Sequence, residues 1–491
     1  MGVLKKLAGH TFIYGSSTIL SRLLNVLFLP ILTNRFSTGV YGIYANLYAW
    51  ITVFNVFLTF GMETTMFRFI QDQSDPKKVY SQAFFFVLGL LVVFMGIAIP
   101  LHPYIAGWMK YEGKEHYLLL LFAIISLDVL AAIPKAMLRH KERAAWFGII
   151  MLINVVVNLT ALLVFILWLE LGIEYVFVAN IIASALVLIL SLWKNLPAIP
   201  KWDGKLIREM LDYAFFIMIA GLAGIMNETL DRIMIPLRWP EGGVFDGMVQ
   251  TGESLNGIYA ANYKVAMFIA LATTAFRYAA EPFFFKEAAE KDSPKTFARV
   301  FHYFMMASLA GFLLISSFAQ EIMSFNLFGL IDRTFVPETY WSGQKVIPIL
   351  LIAYVFSAAY INISIWFKIT KQTRFAILFT GSGALVTVLV LFFGIPIYGY
   401  MAGAWATLLC YIIMSSLVYF VGQKYYPIPY KIKRLFLYGA IILGAFFLNQ
   451  NIGATDGFFL AAFSKILICG AAFGLIFFLE KKYPPVWKTE S

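Results

Sequence analysis

The chain has 491 residues, of which 61% are hydrophobic and 13% are charged, and its mean hydropathy is +0.79. A soluble domain carries about a quarter charged residues, so this composition excludes a water-soluble enzyme or binding protein and predicts that lipid surrounds most of the chain. The net charge of +11 does not indicate a nucleic-acid partner, because the Lys and Arg residues lie in short clusters between apolar runs and not on one basic face.

Apolar runs long enough for a membrane-spanning helix, which needs about 20 residues, follow one another along the chain. They lie at about 9–33, 41–67, 80–101, 117–138, 146–169, 174–193, 210–237, 256–280, 298–320, 345–367, 375–394, 397–422, 435–450 and 458–479. The first run is too long for the apolar core of a signal peptide, so we expect it to be the first membrane helix. The sequence therefore predicts an all-α, polytopic membrane protein with about fourteen transmembrane helices.

The Lys and Arg residues test this count, because cytoplasmic loops are enriched in both. With the N-terminus in the cytoplasm and every run crossing the membrane, most of the 38 Lys and Arg residues fall in cytoplasmic segments. A miscounted helix would invert every later loop, and yet the bias persists to Lys481, Lys482 and Lys488. We therefore expect an even number of crossings, a location in the cytoplasmic (inner) membrane, and both termini in the cytoplasm.

A short repeat divides the runs into two halves. The second run opens with GIYANLY at 42–48 and the eighth with GIYAANY at 257–263, and the run before each carries an arginine, Arg22 and Arg232. A chance match of small and aromatic residues is the alternative. Copies six crossings apart share their orientation, so we predict two six-helix lobes in a parallel pseudo-two-fold repeat, as in transporters that work by alternating access.

The predicted lobes are an N-terminal six-helix lobe at 1–200 and a C-terminal six-helix lobe at 201–430. Residues 431–491 then hold helices 13 and 14 and a cytoplasmic tail.

Basic residues within the runs are candidates for substrate binding. Arg22 and Lys264 lie mid-run with no acidic residue one turn away on their own helix. A charge in the membrane is costly and usually faces protein or water. A cation in a cavity favours an anion, and a phosphate group on the substrate is the obvious candidate. Arg232 and Arg277 are weaker candidates, because each has a glutamate four residues away with which it could form an ion pair.

Other polar residues in the runs are candidates for lining a water-filled cavity or for coupling to an ion gradient. The cavity candidates are Thr18, Asn25, Asn55, Asn227 and Tyr263. Helix packing is the alternative, since interhelical hydrogen bonds are common in membrane proteins. The strongest coupling candidate is Asp128, near the middle of the fourth run. The weaker ones lie nearer run ends and are Glu63, Glu228, Asp231 and Glu281.

Catalytic, metal-binding and nucleotide-binding motifs are missing from the sequence. The two cysteines lie inside apolar runs, and the five histidines lack metal-ligand spacing. There is no Walker A motif and no hydrolase signature. We therefore expect no cofactor, no metal, no ATP drive and no enzymatic activity.

The repeat, the helix count and several local strings resemble the multidrug/oligosaccharidyl-lipid/polysaccharide (MOP) superfamily, and within it the Wzx-type flippases of polysaccharide biosynthesis. The strings lie at 21–22, 42–44, 231–232, 257–264, 396–399 and 403–407. The resemblance implies a flippase that turns an undecaprenyl-diphosphate-linked oligosaccharide across the cytoplasmic membrane for O-antigen, exopolysaccharide or capsule synthesis. It also implies a cationic cavity, in which Arg22 and Lys264 match family cations.

The same resemblance implies coupling to a proton or sodium gradient and contact with membrane lipid. A polysaccharide polymerase and glycosyltransferases are candidate partners. Two alternatives stay open. The first is an ion-coupled multidrug or organic-cation exporter of the same superfamily, which would favour acidic cavity residues. The second is a membrane-embedded polysaccharide polymerase or ligase, which would need a large loop bearing catalytic residues.

Overall fold

The protein is described by a computed structural model over residues 26–72, 75–193, 195–199, 202–288, 290, 292–326, 334–370, 372, 374–451 and 458–482. Helices make up almost all of it. In the first half they are α1 (Val26–Arg35), α2 (Thr38–Thr59), α3 (Met62–Asp72), α4 (Pro76–Trp108), α5 (His116–His140), α6 (Ala144–Leu162), α7 (Glu174–Trp193) and α8 (Gly204–Arg238).

The second half continues with α9 (Gly252–Ala266), α10 (Phe268–Glu287), α11 (Ser293–Ser317), α12 (Ala319–Ser324), α13 (Val346–Ile363), α14 (Ile365–Ile369), α15 (Arg374–Tyr398), α16 (Met401–Tyr425), α17 (Ile432–Gln450) and α18 (Phe458–Lys482). A π-helical turn at Leu163–Trp168 extends α6, and a 3-10 turn at Glu338–Lys345 precedes α13. The short strands β1 (Val244–Phe245) and β2 (Met248–Val249) form an antiparallel hairpin between α8 and α9.

Twelve helices among the described residues are long and apolar enough to cross a membrane, and each matches one apolar run of the sequence. The other two runs are accounted for as well. Helix α1 is the end of the first run, whose earlier residues lie outside the described part. The eighth run is divided at Met267 between α9 and α10. The predicted all-α, polytopic membrane fold is therefore confirmed.

A kink in the second span positions one of the acidic candidates. Phe60 and Gly61 adopt φ angles of 53° and 68°, which end α2 and start α3 within a single span. Only glycine fits well at the second position, because a Cβ there would lie 2.9 Å from Cγ2 of Ile217 on α8. The new helix begins at Met62, so Glu63 lies in its first turn.

Contacts divide the chain into two compact units. Unit 1 contains the described residues of Met1–Ala260 together with Ala384–Ala406, and unit 2 contains those of Ala261–Gly383 and Thr407–Ser491. In unit 1, α5 packs against α7, and α2 packs along α8. In unit 2, α11 packs against α13 and α17. The lobe boundaries at residues 200 and 430 stay a prediction, because packing units and sequence repeats need not coincide.

Candidate functional site

A polar cavity of about 410 Å³ lies within unit 1, between α2, α3, α5, α6 and α7. Three of the predicted site residues line it, namely Asn55, Glu63 and Asp128. They come from three different helices, and the sequence alone did not bring them together. The remaining lining residues are Val56, Thr59, Ala132, Lys135, Met151, Asn154, Asn180, Ser184 and Val187.

Asp128 is held from two neighbouring helices. The Ser184 hydroxyl on α7 donates a hydrogen bond of 2.7 Å to Oδ1 of Asp128, and the Asn55 side chain on α2 lies near enough to favour the charged carboxylate. Lys135 lies two turns further along α5 and therefore on the same face of that helix. Its ammonium is close enough to favour the charged carboxylate electrostatically. The Asp128 charge is thus both hydrogen-bonded and partly compensated.

The second carboxylate of the cavity is paired directly. Nη2 of Arg139 lies 2.6 Å from Oε2 of Glu63, and the two side chains are 36% and 37% exposed. Glu63 lies in the first turn of α3 and Arg139 in the last turn of α5, so each charge is also favoured by the dipole of its own helix. Because both side chains reach solvent-accessible surface, we place this pair at the mouth of the cavity.

Another cluster in unit 1 surrounds Asp231, which is buried on α8. Its carboxylate accepts a hydrogen bond from the Tyr259 hydroxyl and lies 3.3 Å from Nε of Arg232. The alternative interpretation of Arg232, an ion pair with Glu228, is wrong. Glu228 is exposed, and within the described residues Arg232 donates to its backbone carbonyl and not to its carboxylate. Arg232 therefore forms its ion pair with the adjacent, buried Asp231 and not with Glu228 four residues away.

The other predicted residues are distributed over both units. Asn227 is buried on α8 in unit 1. In unit 2, Tyr263 is buried and meets the Tyr354 ring edge-on at 6.0 Å. Lys264 and Arg277 are partly exposed, on α9 and α10. Lys264 lies three residues before the break at Met267, and the Met267 N–H donates to the Lys264 carbonyl.

Four of the predicted site residues cannot be placed. Thr18, Arg22 and Asn25 lie outside the described residues, and so does the side chain of Glu281.

Several polar side chains of the cavity region were not among the predicted site residues, and they include Lys135, Arg139, Asn154, Asn180 and Ser184. A usable signal for three of them was present. Asn154 lies in the fifth apolar run one turn before a second amide, Asn158, and Asn180 and Ser184 are one turn apart on the same face of the sixth. Polar groups at such spacing in a spanning helix point into protein and not into lipid.

Unit 2 contains an apolar groove of about 490 Å³ between α11, α13, α16 and α17. Apart from Ser415, Ser416 and Tyr419, every lining residue is apolar, and Phe301, Phe312 and others supply aromatic surface. Such a surface fits hydrocarbon.

Comparison with known proteins decides the family. The family model described as "polysaccharide biosynthesis protein" matches residues 7–286, more than half of the chain. The chain belongs to the polysaccharide biosynthesis protein family. A search among curated protein sequences found no match.

Solved structures share the fold of this polysaccharide biosynthesis protein at low sequence identity. The lipid II flippase MurJ, in an inward closed conformation, has a TM-score of 0.72 and 14% identity, over 96% of this chain and 99% of that one. An inward-facing multidrug resistance MATE family transporter of the MOP superfamily has a TM-score of 0.65 and 13% identity, over 83% and 94%. A MOP superfamily transporter from Pyrococcus furiosus Vc1 (DSM3638), described as having a binding pocket of reverse polarity, has a TM-score of 0.60 and 12% identity, over 85% and 94%.

The family model confirms the predicted relation to polysaccharide biosynthesis proteins, and the solved structures show that the chain has the fold of MOP superfamily transporters and of MurJ. This polysaccharide biosynthesis protein is therefore a multi-pass membrane protein with that fold.

Proposed function

We propose that the protein is a flippase that turns an undecaprenyl-diphosphate-linked oligosaccharide across the cytoplasmic membrane by alternating access, for the synthesis of a surface polysaccharide. The observation that carries this proposal is the presence, in one transporter fold, of a polar cavity in unit 1 and an apolar groove in unit 2. A lipid-linked oligosaccharide has a hydrophilic part and a hydrocarbon part, and each needs a matching surface. Membership of the polysaccharide biosynthesis family supports the same substrate class.

The diphosphate is assigned to Lys264 and Arg277 of unit 2, and the role predicted for Arg22, which lies outside the described residues, stays a prediction. Lys264 and Arg277 are partly exposed, and a phosphate oxygen binds well to such cations when few water molecules compete. Arg232 is less suited to this role, because Asp231 lies beside its guanidinium and compensates its charge.

Asp128 is the proposed coupling residue. It lies near the middle of a predicted span, and its hydrogen bond with Ser184 would form or break as a proton or a sodium ion arrives. Glu63 is less suited, because its ion pair with Arg139 favours a permanently charged carboxylate.

Export of organic cations is the second candidate function, and the two carboxylates of the unit 1 cavity are the observation that favours it. Each carboxylate nevertheless has a nearby cation, since Arg139 pairs with Glu63 and Lys135 lies on the face of Asp128. A cavity without net negative charge binds a cation poorly, so the flippase is the better-supported function.

Substitution of Lys264 tests the proposal in cells. We expect Lys264→Ala to abolish surface polysaccharide export, to cause the lipid-linked intermediate to accumulate, and to leave the amount of protein in the membrane unchanged. Lys264→Arg should retain part of the export, because it keeps the charge. Lys424→Ala, which removes an exposed lysine in the last turn of α16, is the matched control. Normal export by Lys264→Ala would remove this residue from the phosphate site.

A further inference from the structure

The unit 1 cavity is lined by several amide groups. Asn55, Asn154 and Asn180 line it from three helices, with hydroxyls of Thr59 and Ser184 beside them. Each amide offers two N–H donors and a carbonyl acceptor. The side chains of Asn154 and Asn180 form no hydrogen bond within the described residues, although both lie inside a helix bundle.

One acceptor in this cavity is left without a partner. Oδ1 of Asn55 is buried and accepts no hydrogen bond from any described residue. A buried polar atom without a partner is costly, so it usually has a ligand or an ordered water in the working state. Its neighbour in the cavity, the Asp128 carboxylate, is also an acceptor. The acceptors around Asn55 would therefore be satisfied by hydrogen-bond donors on a bound molecule.

The charges of the cavity are balanced. Asp128 and Glu63 are its two carboxylates, and Lys135 and Arg139 are the cations that accompany them. A diphosphate or a uronic acid would gain no net attraction from balanced charges, and its own charge would lose hydration on entering the cavity. An uncharged guest meets no such penalty.

Apolar side chains alternate with the polar ones. Val56, Ala132, Met151 and Val187 complete the lining. A sugar ring presents hydroxyl groups at its edge and C–H groups on its faces, so it matches a wall that offers amides, carboxylates and methyl groups together. The volume of about 410 Å³ is within the range typical of small-ligand pockets, and so it fits part of an oligosaccharide and not all of it.

From these observations we infer that the unit 1 cavity is a glycan subsite, which takes an uncharged, hydroxyl- and amide-bearing sugar of the lipid-linked substrate through Asn55, Asn154 and Asn180. This subsite rests on the proposed flippase function, and it separates two tasks. The sugar is recognised by neutral amides inside unit 1, and the diphosphate is bound elsewhere by cations.

Binding to purified full-length protein in lipid nanodiscs tests the subsite. The probes are undecaprenyl diphosphate, undecaprenyl-diphosphate-N-acetylglucosamine and undecaprenyl-diphosphate-glucuronic acid. We expect the wild type to bind the N-acetylglucosamine lipid most tightly. Asn180→Ala and, independently, Asn154→Ala should weaken that binding about tenfold, the loss of roughly one hydrogen bond, and leave the affinity for the sugar-free lipid unchanged.

Asn158→Ala is the matched control, because Asn158 lies one turn beyond Asn154 on α6 and does not line the cavity. It should bind all three lipids as the wild type does. Asn180→Gln keeps an amide at this position, and its comparison with Asn180→Ala separates loss of the amide from loss of the fold as the cause of weak binding. A monodisperse elution profile is required of each variant.

The outcomes separate the subsite from the proposed function. Equal loss of affinity for the sugar-bearing and sugar-free lipids in both Asn variants would overturn the subsite. So would a wild type that binds all three lipids equally, although the flippase function would stand. A wild type that binds none of the three lipids would overturn the flippase function itself, and the subsite with it.

Discussion

Gly42 and Gly257 pack backbone against backbone, at the starts of α2 and α9 in unit 1. A Cβ on Gly42 would lie 1.8 Å from the carbonyl oxygen of Glu253, and a Cβ on Gly257 would lie 1.9 Å from that of Thr38. Each glycine therefore meets the residue four positions before the other, which is a two-fold symmetric contact. The two glycines are also the first residues of the repeated GIYA sequence. The repeat thus has a structural role, because its copies meet each other.

Alanine at either glycine should disrupt this contact. We expect Gly42→Ala and Gly257→Ala each to reduce polysaccharide export about tenfold or more, because the added Cβ would force two backbones apart and overpacking costs about 1–3 kcal/mol. Gly39→Ala is the control on the same helix, since a Cβ there meets nothing within 4 Å. Export by the Gly42→Ala variant at the level of the Gly39→Ala variant would show that close approach of α2 and α9 is not needed.

A disulfide across the same contact should stop transport. Oγ1 of Thr38 and Oγ of Ser254 are 2.8 Å apart, at the helix ends that the positive-inside rule places away from the cytoplasm. In the double variant Thr38→Cys, Ser254→Cys we expect an oxidant to block export and dithiothreitol to restore it, if these ends must separate during alternating access. Cys410 and Cys469 are buried and should not interfere. Each single variant should be insensitive to the oxidant, and undiminished export by the cross-linked protein would contradict a moving contact.

Asp128→Asn should uncouple transport from the ion gradient. The amide keeps the size of the side chain and a hydrogen bond with Ser184, but it can neither bind a proton nor carry a charge. We expect the rate of transport in proteoliposomes to lose its dependence on an imposed pH or sodium gradient. Glu63→Gln, which changes the other carboxylate of the cavity, should retain that dependence. An unchanged gradient response in Asp128→Asn would remove this residue from the coupling mechanism.

Glu480 should stabilise the packing of the last two helices against α11 within unit 2. Its Oε1 lies 2.8 Å from Nε2 of the buried His302 on α11, accepts a hydrogen bond from Tyr438 and lies 3.7 Å from Nη1 of Arg434, both on α17. Removing one partner of a buried charged network costs about 3–5 kcal/mol. We therefore expect Glu480→Ala to lower the thermal unfolding midpoint in detergent by several degrees.

Glu112→Ala is the control for this effect, because Glu112 is exposed in the loop between α4 and α5 and its loss should change stability by less than about 0.5 kcal/mol. Equal midpoints for the two variants would mean that the network around Glu480 does not hold α18 in place.

The fold could be predicted largely from the sequence, because the bilayer imposes a length on every span and loops carry a charge bias. Local changes in the direction of the backbone could not be predicted from the sequence. Nothing in the eighth apolar run indicates a break at Met267, and the kink at Phe60 and Gly61 depends on space left by α8. Such features arise from neighbouring helices, which hydropathy does not describe.

The candidate site was predicted only in parts. Asn55, Glu63 and Asp128 were expected to be functional one by one, because polar groups in apolar runs are costly. Their common cavity with Asn154 and Asn180 was not expected, since the period of one helix does not reveal which other helix its polar face meets. The same limit applies to Lys465, whose ammonium lies 2.7 Å from Oε1 of Glu321, 144 residues away in the sequence.

Lipid extraction from cells depleted of this protein tests the flippase function most directly. Mass spectrometry of the extract would look for polyprenyl-diphosphate-linked oligosaccharide. We expect a completed repeat unit to accumulate while the surface polysaccharide is lost, and the mass of that lipid would identify the sugar. An extract without accumulated lipid, from cells whose surface polysaccharide is intact, would contradict a flippase and favour the export of organic cations.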